Sequence, residues 1–254
     1  MRFLVVKSKT IKCVLLVCLC AVLLAINFGT GKAATVFFGY APRKVPVYSV
    51  DTPTKKVAIT FDSAWGADKT LKSIETLKEY NVKATFFLVG FWVEEYPDMV
   101  KAINDAGLEI GTHSNTHADF VNLSEAEMEL ELSTSVNLIT NITGNEVNLF
   151  RAPYGSYNNS VISVAESLNL TTIQWDVDTL DWKGLSATEI NTRVASKVTN
   201  GSIILCHNNS DNILEALPLM LTTLKNKGYQ VTSVGDLIYK DNYYVDNLGI
   251  QRQK

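Results

Sequence analysis

The feature that most constrains the fold is a regular alternation of short apolar runs with longer segments of helical periodicity. Seven such alternations occupy about 180 residues. The predicted strands are residues 57–61, 84–88, 108–112, 149–151, 171–175, 202–206 and 230–234. Because parallel strands need long crossovers that are usually helices, the pattern predicts a parallel α/β architecture.

Aspartate, histidine or arginine residues end or follow the first, third, fourth, fifth and sixth of these strands. In an open, doubly wound sheet the outer strand ends would lie far apart, whereas in a closed barrel all of them face one cavity. The sequence therefore predicts a distorted (β/α)7 barrel. The lack of a glycine-rich loop after the first strand argues against nucleotide binding.

Composition narrows the class of protein. The chain has 254 residues, of which 46% are hydrophobic and 19% charged, which is enough for one large domain and a short appendage. The net charge of −3 and the lack of a basic stripe argue against a nucleic-acid partner. Three of the four cysteines lie in the first 20 residues, so Cys206 is predicted to be a packed core thiol without a disulfide partner. We expect a monomer.

Residues 1–34 predict export. Basic residues precede an apolar run over residues 13–26, which suits a signal sequence and is short for a membrane span. A cleaved signal and a retained membrane anchor both stay open, and the poor cleavage pattern around Ala33 and Ala34 favours the anchor. Lipidation at Cys18 is disfavoured because a large valine precedes it.

The rest of the chain divides into three predicted parts. Residues 35–54 contain three prolines and are predicted to be an irregular lead-in. Residues 55–240 hold all of the predicted strands and form the main domain. Residues 241–254 are predicted to be a loose polar tail.

The first predicted strand ends on Asp62, and small residues follow it. An unpaired carboxylate is costly to desolvate, so an acid at this point is poor for packing. It is well placed for chemistry, because α/β barrels carry their active sites at the carboxyl ends of their strands. An aspartate that caps the next helix is the alternative, and this stretch alone leaves both open.

The three histidines of the chain follow or end predicted strands. His113 and His117 come after the third strand, where i, i+4 spacing at a helix start would put both imidazoles on one face. Two neutral imidazoles so placed are a metal-ligand pair that suits zinc or a similar divalent ion, although the spacing by itself is a weak signal. His207 ends the sixth strand, and strand alternation places it on the same face as Leu205.

Further polar residues follow the fourth and fifth strands. Arg151 ends the fourth, and Asp181 and Trp182 follow the fifth. Each of them could belong to a solvated loop. Together with Asp62 and the histidines at one rim of a barrel, they indicate an active site.

These segments occur in the order T-F-D, H-S-x-x-H, R-x-P-Y-G, D-x-x-D-W and L-x-H. The order resembles the five motifs of the polysaccharide deacetylases, the NodB homology domain, over nearly all of residues 55–240. The T-F-D-S-A-W-G form of the first motif and the hydrophobic N-terminus resemble the sporulation-type members of that family. The resemblance implies metal-dependent removal of N-acetyl groups from a cell-wall or spore glycan.

The resemblance also implies roles for the residues that match its motifs. Asp62 would be the general base, oriented by Arg151. His113 and His117 would hold the metal, and His207 would be the general acid that protonates the leaving amine.

Four more residues gain roles in the same way. Asp181 would pair with His207 and raise the pKa of its imidazole. The backbone N–H of Tyr154 would stabilise the oxyanion, and Trp182 and Leu205 would line the pocket.

The chain departs from the family pattern at Ser63, where the family usually has a second acid that binds the metal. A neutral hydroxyl is a poorer ligand, so we expect weak binding of an ion that is more electrophilic once bound. Asp119 lies two positions past His117 and would point away from that face of a helix. Ser63, or a water that it holds, is therefore expected to complete the shell of zinc, with cobalt and manganese as alternatives.

Three functions stay open. The first is an enzyme that acts on an N-acetylated glycan, and the second is a glycan-binding homologue that lost its metal with the acid at position 63. The third is an amidohydrolase of the same barrel that acts on a small amide. An open groove with exposed aromatic side chains would favour a glycan, whereas a closed pocket would favour the small amide.

Overall fold

The computed structural model describes residues 12–19 and 42–254. The chain divides into two compact units, Met1–Arg43 and Lys44–Lys254, and residues 12–19 of the first unit are helical. Within the described ranges, every helix falls short of the length and apolarity that a membrane span needs. Most of the predicted signal or anchor lies outside the described residues.

The second unit is built from strands and helices in alternation. Its strands are β1 (Ser49–Val50), β2 (Lys56–Ser63), β3 (Thr85–Leu88), β4 (Glu109–Thr112), β5 (Leu149–Phe150), β6 (Thr171–Thr172), β7 (Val177–Asp178), β8 (Ile203–His207), β9 (Gln230–Thr232), β10 (Tyr243–Val245) and β11 (Ile250–Gln253). Its helices are α1 (Thr70–Glu79), α2 (Gly90–Glu95), α3 (Pro97–Asp105), α4 (Glu125–Thr143), α5 (Asn159–Ser167), α6 (Ala187–Lys197), α7 (Ile213–Asn226) and α8 (Val234–Leu237). Three 3-10 turns complete it, at Phe120–Asn122, Pro153–Gly155 and Asp181–Lys183.

The large sheet is parallel and curled. Its strand order is β6-β5-β4-β3-β2-β8-β7, and β9 also pairs with β2. Seven strands laid flat would separate the edges by about 29 Å. The edge strands β6 and β7 are joined by four residues, which reach at most about 18 Å. The sheet therefore curls until its edges approach each other, which confirms the predicted α/β barrel in its distorted form.

The segment predicted as the fifth strand forms two short strands, β6 and β7, which pair with different neighbouring strands. β6 pairs with β5, and β7, which follows it in the chain, pairs with β8. Between them the Asp176 carboxylate accepts hydrogen bonds from the Ser202 hydroxyl at 2.7 Å and the Ile203 amide at 2.8 Å. Burial raises the pKa of Asp176. This side chain replaces part of the backbone ladder and lets the strand cross from one partner to the other.

Residues 241–254 are not a loose tail, so that prediction was wrong. β10 and β11 form a second sheet with β1, in which Ser49 pairs with Ile250. The Gln251 side chain is fully buried and bonds the Tyr239 backbone through both of its polar atoms, at 2.8 and 2.9 Å. The polar composition hid this sheet, because its partner strand lies in the predicted lead-in, about 200 residues earlier.

Alternation along β2 sorts its side chains between two layers. Val57, Ile59 and Phe61 pack into an apolar core with the helices, as the buried Cys206 does on β8. Ala58 belongs to a second core within the curl of the sheet. Residues 60 and 62 share the face of Ala58, so the inner face of β2 ends on an acid at the carboxyl rim of the sheet.

Candidate active site

Two site residues lie side by side at the rim because of strand register. Asp62 on β2 and His207 on β8 are paired positions of neighbouring parallel strands. Residues of one register pair in a sheet project to the same face. The strand pairing alone therefore brings a carboxylate and an imidazole from distant parts of the sequence to one cavity.

Asp62 is held by a buried guanidinium. The Nη1 atom of Arg151 donates to Asp62 Oδ1 at 2.7 Å and to the Thr60 hydroxyl at 2.8 Å. Arg151 is fully buried and its guanidinium carbon lies 4.2 Å from the Phe87 ring centroid. Burial opposes ionisation of Asp62, but the charge and hydrogen bond of Arg151, together with the charge of His207, lower the pKa of the carboxyl. Asp62 is therefore a fixed carboxylate with its second oxygen free for chemistry.

His113 presents one nitrogen to this second oxygen. Its Nδ1 contacts the carbonyl oxygen of Arg151 at 2.7 Å, and its Nε2 lies 3.5 Å from Asp62 Oδ2. Burial lowers the pKa of His113, which favours the neutral ring. A neutral ring that donates Nδ1–H to the carbonyl leaves the Nε2 lone pair facing the cavity. A backbone carbonyl that fixes the tautomer in this way is typical of a metal-binding histidine.

His117 reaches the same place through a loop, so the predicted helix start was wrong. Residues 113–117 contain no helix, yet the rings of His113 and His117 have centroids only 4.9 Å apart. Ser114 and His117 adopt left-handed backbone conformations, with φ of 73° and 60°. The His117 amide donates to the Ser114 hydroxyl at 2.9 Å, which closes the turn.

The surroundings of His117 also favour the neutral form of its imidazole. Burial and the neighbouring His113 lower the pKa of its imidazole to about 4. Its Nδ1 atom is buried and has no hydrogen-bond partner among the described residues. The two rings therefore offer lone pairs at neutral pH, as metal ligands must.

The third donor expected at this point is Ser63. Its side chain is fully buried, and its hydroxyl is unpartnered in the described part of the chain. No group of three His, Cys, Asp or Glu side chains could hold an ion within that same part. Two neutral imidazoles and an orphaned hydroxyl fit a divalent ion of the zinc type, with water to complete the shell. Among the described residues, Asp119 forms no such group with the two histidines, and its Oδ2 accepts from the Asn122 side-chain amide at 3.0 Å.

On the other side of the pocket, His207 is paired with a buried acid. Its Nδ1 lies 2.7 Å from Asp181 Oδ1, and its amide donates to Asp181 Oδ2 at 2.8 Å. Burial opposes the charged ring, but the hydrogen bond and the charge of Asp181 outweigh it and raise the pKa of His207. The charged ring is thus favoured at His207, whereas the neutral ring is favoured at His113 and His117.

These groups open into one cavity of about 740 Å³. Three exposed aromatic side chains line it, namely Trp65, Tyr154 and Trp182, which are 65%, 70% and 59% exposed. Leu205 forms part of the wall. Tyr154 has a left-handed φ of 60° within its 3-10 turn, and its ring centroid lies 4.7 Å from that of His117.

Several lining residues were missed from the sequence. Asn209, Ser210 and Asp211 follow β8, and Trp65 lies three positions after Asp62. Trp65 packs against the His117 ring, with centroids 5.0 Å apart. Its position beside the first motif was the available signal, whereas the polar residues after β8 resemble an ordinary loop.

The fold and the site define an α/β-barrel protein with paired acid–base groups and a histidine pair at its carboxyl rim. A family model described as polysaccharide deacetylase matches residues 49–173. The chain is 35% identical over 187 residues to the peptidoglycan-N-acetylglucosamine deacetylase of Bacillus cereus, covering 71% of this chain and 68% of that protein. The protein belongs to the polysaccharide deacetylase family.

Other relatives extend the comparison. Peptidoglycan-N-acetylglucosamine deacetylase PgdA of Listeria monocytogenes is 34% identical over 223 residues, which cover 87% of this chain and 46% of that protein. The chain spans 46% of the length of PgdA and 60% of the length of a further relative, an uncharacterized protein of Bacillus subtilis that is 35% identical over 193 residues. A solved structure of a CE4 family pseudoenzyme from Bacillus anthracis is 37% identical with a TM-score of 0.74, over 78% of this chain and 69% of that one. A mutant of the same pseudoenzyme is described as having restored enzymatic activity.

Proposed function

We propose that this protein is a metal-dependent N-deacetylase, a hydrolase of carbon–nitrogen bonds other than peptide bonds, that acts on an N-acetylated cell-wall glycan of the peptidoglycan type. The arrangement that carries the proposal is a carboxylate fixed by Arg151 opposite an imidazole fixed by Asp181, beside two neutral histidines. The relatives named as peptidoglycan deacetylases support the substrate class.

Asp62 is the proposed general base. Its Oδ1 is occupied by Arg151, so Oδ2 is the atom that takes a proton from the attacking water. The water oxygen then bonds to the acetyl carbonyl carbon. Because Arg151 lowers the pKa of Asp62, the base is ionised throughout the neutral range.

His207 is the proposed general acid. As the carbon–nitrogen bond breaks, the imidazole gives a proton to the amine, which leaves as the free amino sugar while acetate remains. The buried Asp181 keeps the ring protonated until that step. The Tyr154 amide, near the start of a 3-10 turn, is proposed to donate to the developing oxyanion.

His113, His117 and Ser63 are the proposed metal site. A bound divalent ion would polarise the acetyl carbonyl and the water. We propose zinc, with cobalt or manganese as substitutes, held weakly because Ser63 contributes no charge. The neutral hydroxyl leaves the His113–His117 pair as the main source of affinity.

The open pocket supports a glycan over a small amide. Trp65, Tyr154 and Trp182 present large apolar faces to solvent around the cavity. Aromatic faces of this kind stack against the apolar faces of sugar rings. We further propose that the protein is exported through residues 1–34 and acts at the outer face of the membrane or in the wall of a sporulating cell, as a monomer.

A second candidate is a glycan-binding homologue with little or no activity. The observation that favours it is the buried, unpartnered Ser63 where the family pattern has an acid. The similarity to a CE4 pseudoenzyme points the same way.

Ser63→Asp separates the two candidates, with Ser63→Asn as its control of equal size and no charge. Acetate release from N-acetylglucosamine oligomers and from peptidoglycan is measured with zinc, cobalt or manganese. For an enzyme, the natural chain turns over and Ser63→Asp binds zinc at least ~10-fold more tightly. If the natural chain is inactive on every glycan and only Ser63→Asp gains activity, the second candidate, a glycan-binding homologue, is supported. If no variant releases acetate, the proposed reaction is wrong.

A further inference from the structure

We infer that Glu131 is the positioning residue for the histidine loop, defined as residues 113–117. Glu131 lies on α4 and its carboxylate receives three hydrogen bonds from this loop. Its Oε2 accepts from the amides of Asn115 and Thr116 at 2.9 and 2.8 Å, and its Oε1 accepts from the Thr116 hydroxyl at 2.7 Å. The inference rests on the proposed function only in taking the two histidines as metal ligands.

The histidine loop needs an external support. Ser114 and His117 both occupy the left-handed region, which is unfavourable for a residue other than glycine. Between them, the amides of Asn115 and Thr116 have neither a strand nor a helix partner. An ionised acceptor for both amides supplies what regular structure does not, and hydrogen bonds to a charged group are the stronger kind.

The opposite side of the loop is held by α2. The amides of Gly90 and Phe91 donate to the carbonyl oxygens of Ser114 and Asn115 at 2.9 and 3.1 Å. A Cβ atom at Gly90 would lie 2.9 Å from Asn115 Cα, so only glycine lets the helix approach this closely. The loop is therefore clamped between two elements: α2 binds its carbonyl groups and Glu131 binds its amides.

Among the residues that the structure describes, Glu131 takes part in neither an ion pair with a basic side chain nor a helix cap. Within the described ranges, no basic side chain forms an ion pair with it. It caps no helix, since the N-terminus of α4 is capped by Ser124 and Glu127. The donors of the loop are the partners that the described residues give this half-buried carboxylate. Its contacts thus fix the geometry at which the rings of His113 and His117 meet.

Zinc titration by calorimetry tests this inference in the natural chain and in the Ser63→Asp chain. We expect Glu131→Ala to weaken zinc binding by about 10- to 100-fold, as loss of an outer-shell support does. Glu131→Gln keeps one amide acceptor and should recover most of the affinity. Thr116→Val removes one of the three bonds and should give a smaller loss, which keeps the inference testable if Glu131→Ala does not fold.

A second measurement needs no metal. Hydrogen exchange of the Asn115 and Thr116 amides, followed by NMR in metal-free protein, should be at least ~10-fold faster in Glu131→Ala. Glu127→Ala is the matched control, because Glu127 lies on the same helix and accepts bonds from the Ser124 amide and hydroxyl at 2.8 and 2.7 Å. It should leave zinc affinity and loop exchange unchanged.

The outcomes separate this inference from the proposed function. Unchanged zinc affinity and unchanged exchange in Glu131→Ala would overturn the positioning role, as would an equal loss in Glu127→Ala. If no chain binds zinc, the metal part of the proposed function fails, and the exchange rates alone decide for or against Glu131.

Discussion

His113 and His207 occupy equivalent places and have opposite chemistry. Each lies at the carboxyl end of a parallel strand, and the Nδ1 of each has an oxygen partner at 2.7 Å. The partner of His113 is the neutral carbonyl of Arg151, whereas the partner of His207 is the carboxylate of Asp181. The pKa of His113 is lowered and that of His207 is raised.

Burial adds to the contrast. The side chain of His113 is 4% exposed, and that of His207 is 33% exposed. Desolvation disfavours the charged ring in both. The nearby Asp62 carboxylate does not outweigh it at His113, whereas the hydrogen bond and the charge of Asp181 outweigh it at His207. Two histidines at the ends of parallel strands therefore have pKa values shifted in opposite directions. The group at Nδ1 also differs, because it is a backbone carbonyl at His113 and a carboxylate at His207.

The largest effects are expected from removing each of the two histidines, and the two removals should have different consequences. His113→Ala should abolish zinc binding and activity together, because it removes one of two imidazole donors. His207→Ala should lower kcat by about 10²- to 10⁴-fold, the usual contribution of a general acid, with zinc affinity within about twofold. Calorimetry and acetate release measure the two quantities. A loss of zinc affinity in His207→Ala would show that His207 contributes to metal binding as well.

Asp181→Asn tests the source of the contrast. Without the carboxylate, the pKa of His207 should fall, so the alkaline limb of the kcat profile moves to lower pH. We expect roughly tenfold lower kcat at pH 8 and a smaller loss at pH 6, because each unit above a pKa lowers the protonated fraction tenfold. An unshifted limb would contradict the role of Asp181.

The same pair sets a pH dependence of stability, which is a smaller effect. Since the folded-state pKa of His207 is raised above the ordinary 6.5, its stabilisation is complete below that value. It is lost as the pH rises through the raised folded-state value. The urea midpoint of the natural chain should therefore fall over this window relative to that of Asp181→Asn. Parallel midpoints from pH 5 to 9 would refute the linkage.

The smallest expected effect lies at the rim. Trp182→Ala should raise KM for N-acetylated oligomers by about 2- to 10-fold with kcat nearly unchanged, since an aromatic contact contributes roughly 0.5–1.5 kcal/mol. Leu248→Ala is the control, because Leu248 is 76% exposed but does not line the pocket. An equal change in both variants would remove Trp182 from the binding surface.

The sequence by itself determined the approximate places of the strands in the large sheet and the polar residues at their ends, but it did not reveal the small sheet of β1, β10 and β11. Apolar periodicity is local, so it placed the seven strands, and it put Asp62 and His207 at strand ends. The absence of an acid at Ser63 was also visible in the sequence alone.

Only the tertiary structure decided how these ends are held. The left-handed turn that joins His113 to His117 contains no glycine, so its residues gave no local signal. Glu131 contacts a loop 15 to 16 residues earlier in the chain, and β11 pairs with β1 about 200 residues away in a separate small sheet. Local periodicity carries no information about such contacts, because hydrogen-bond partners are chosen by proximity in space, and proximity exists only after the chain has folded.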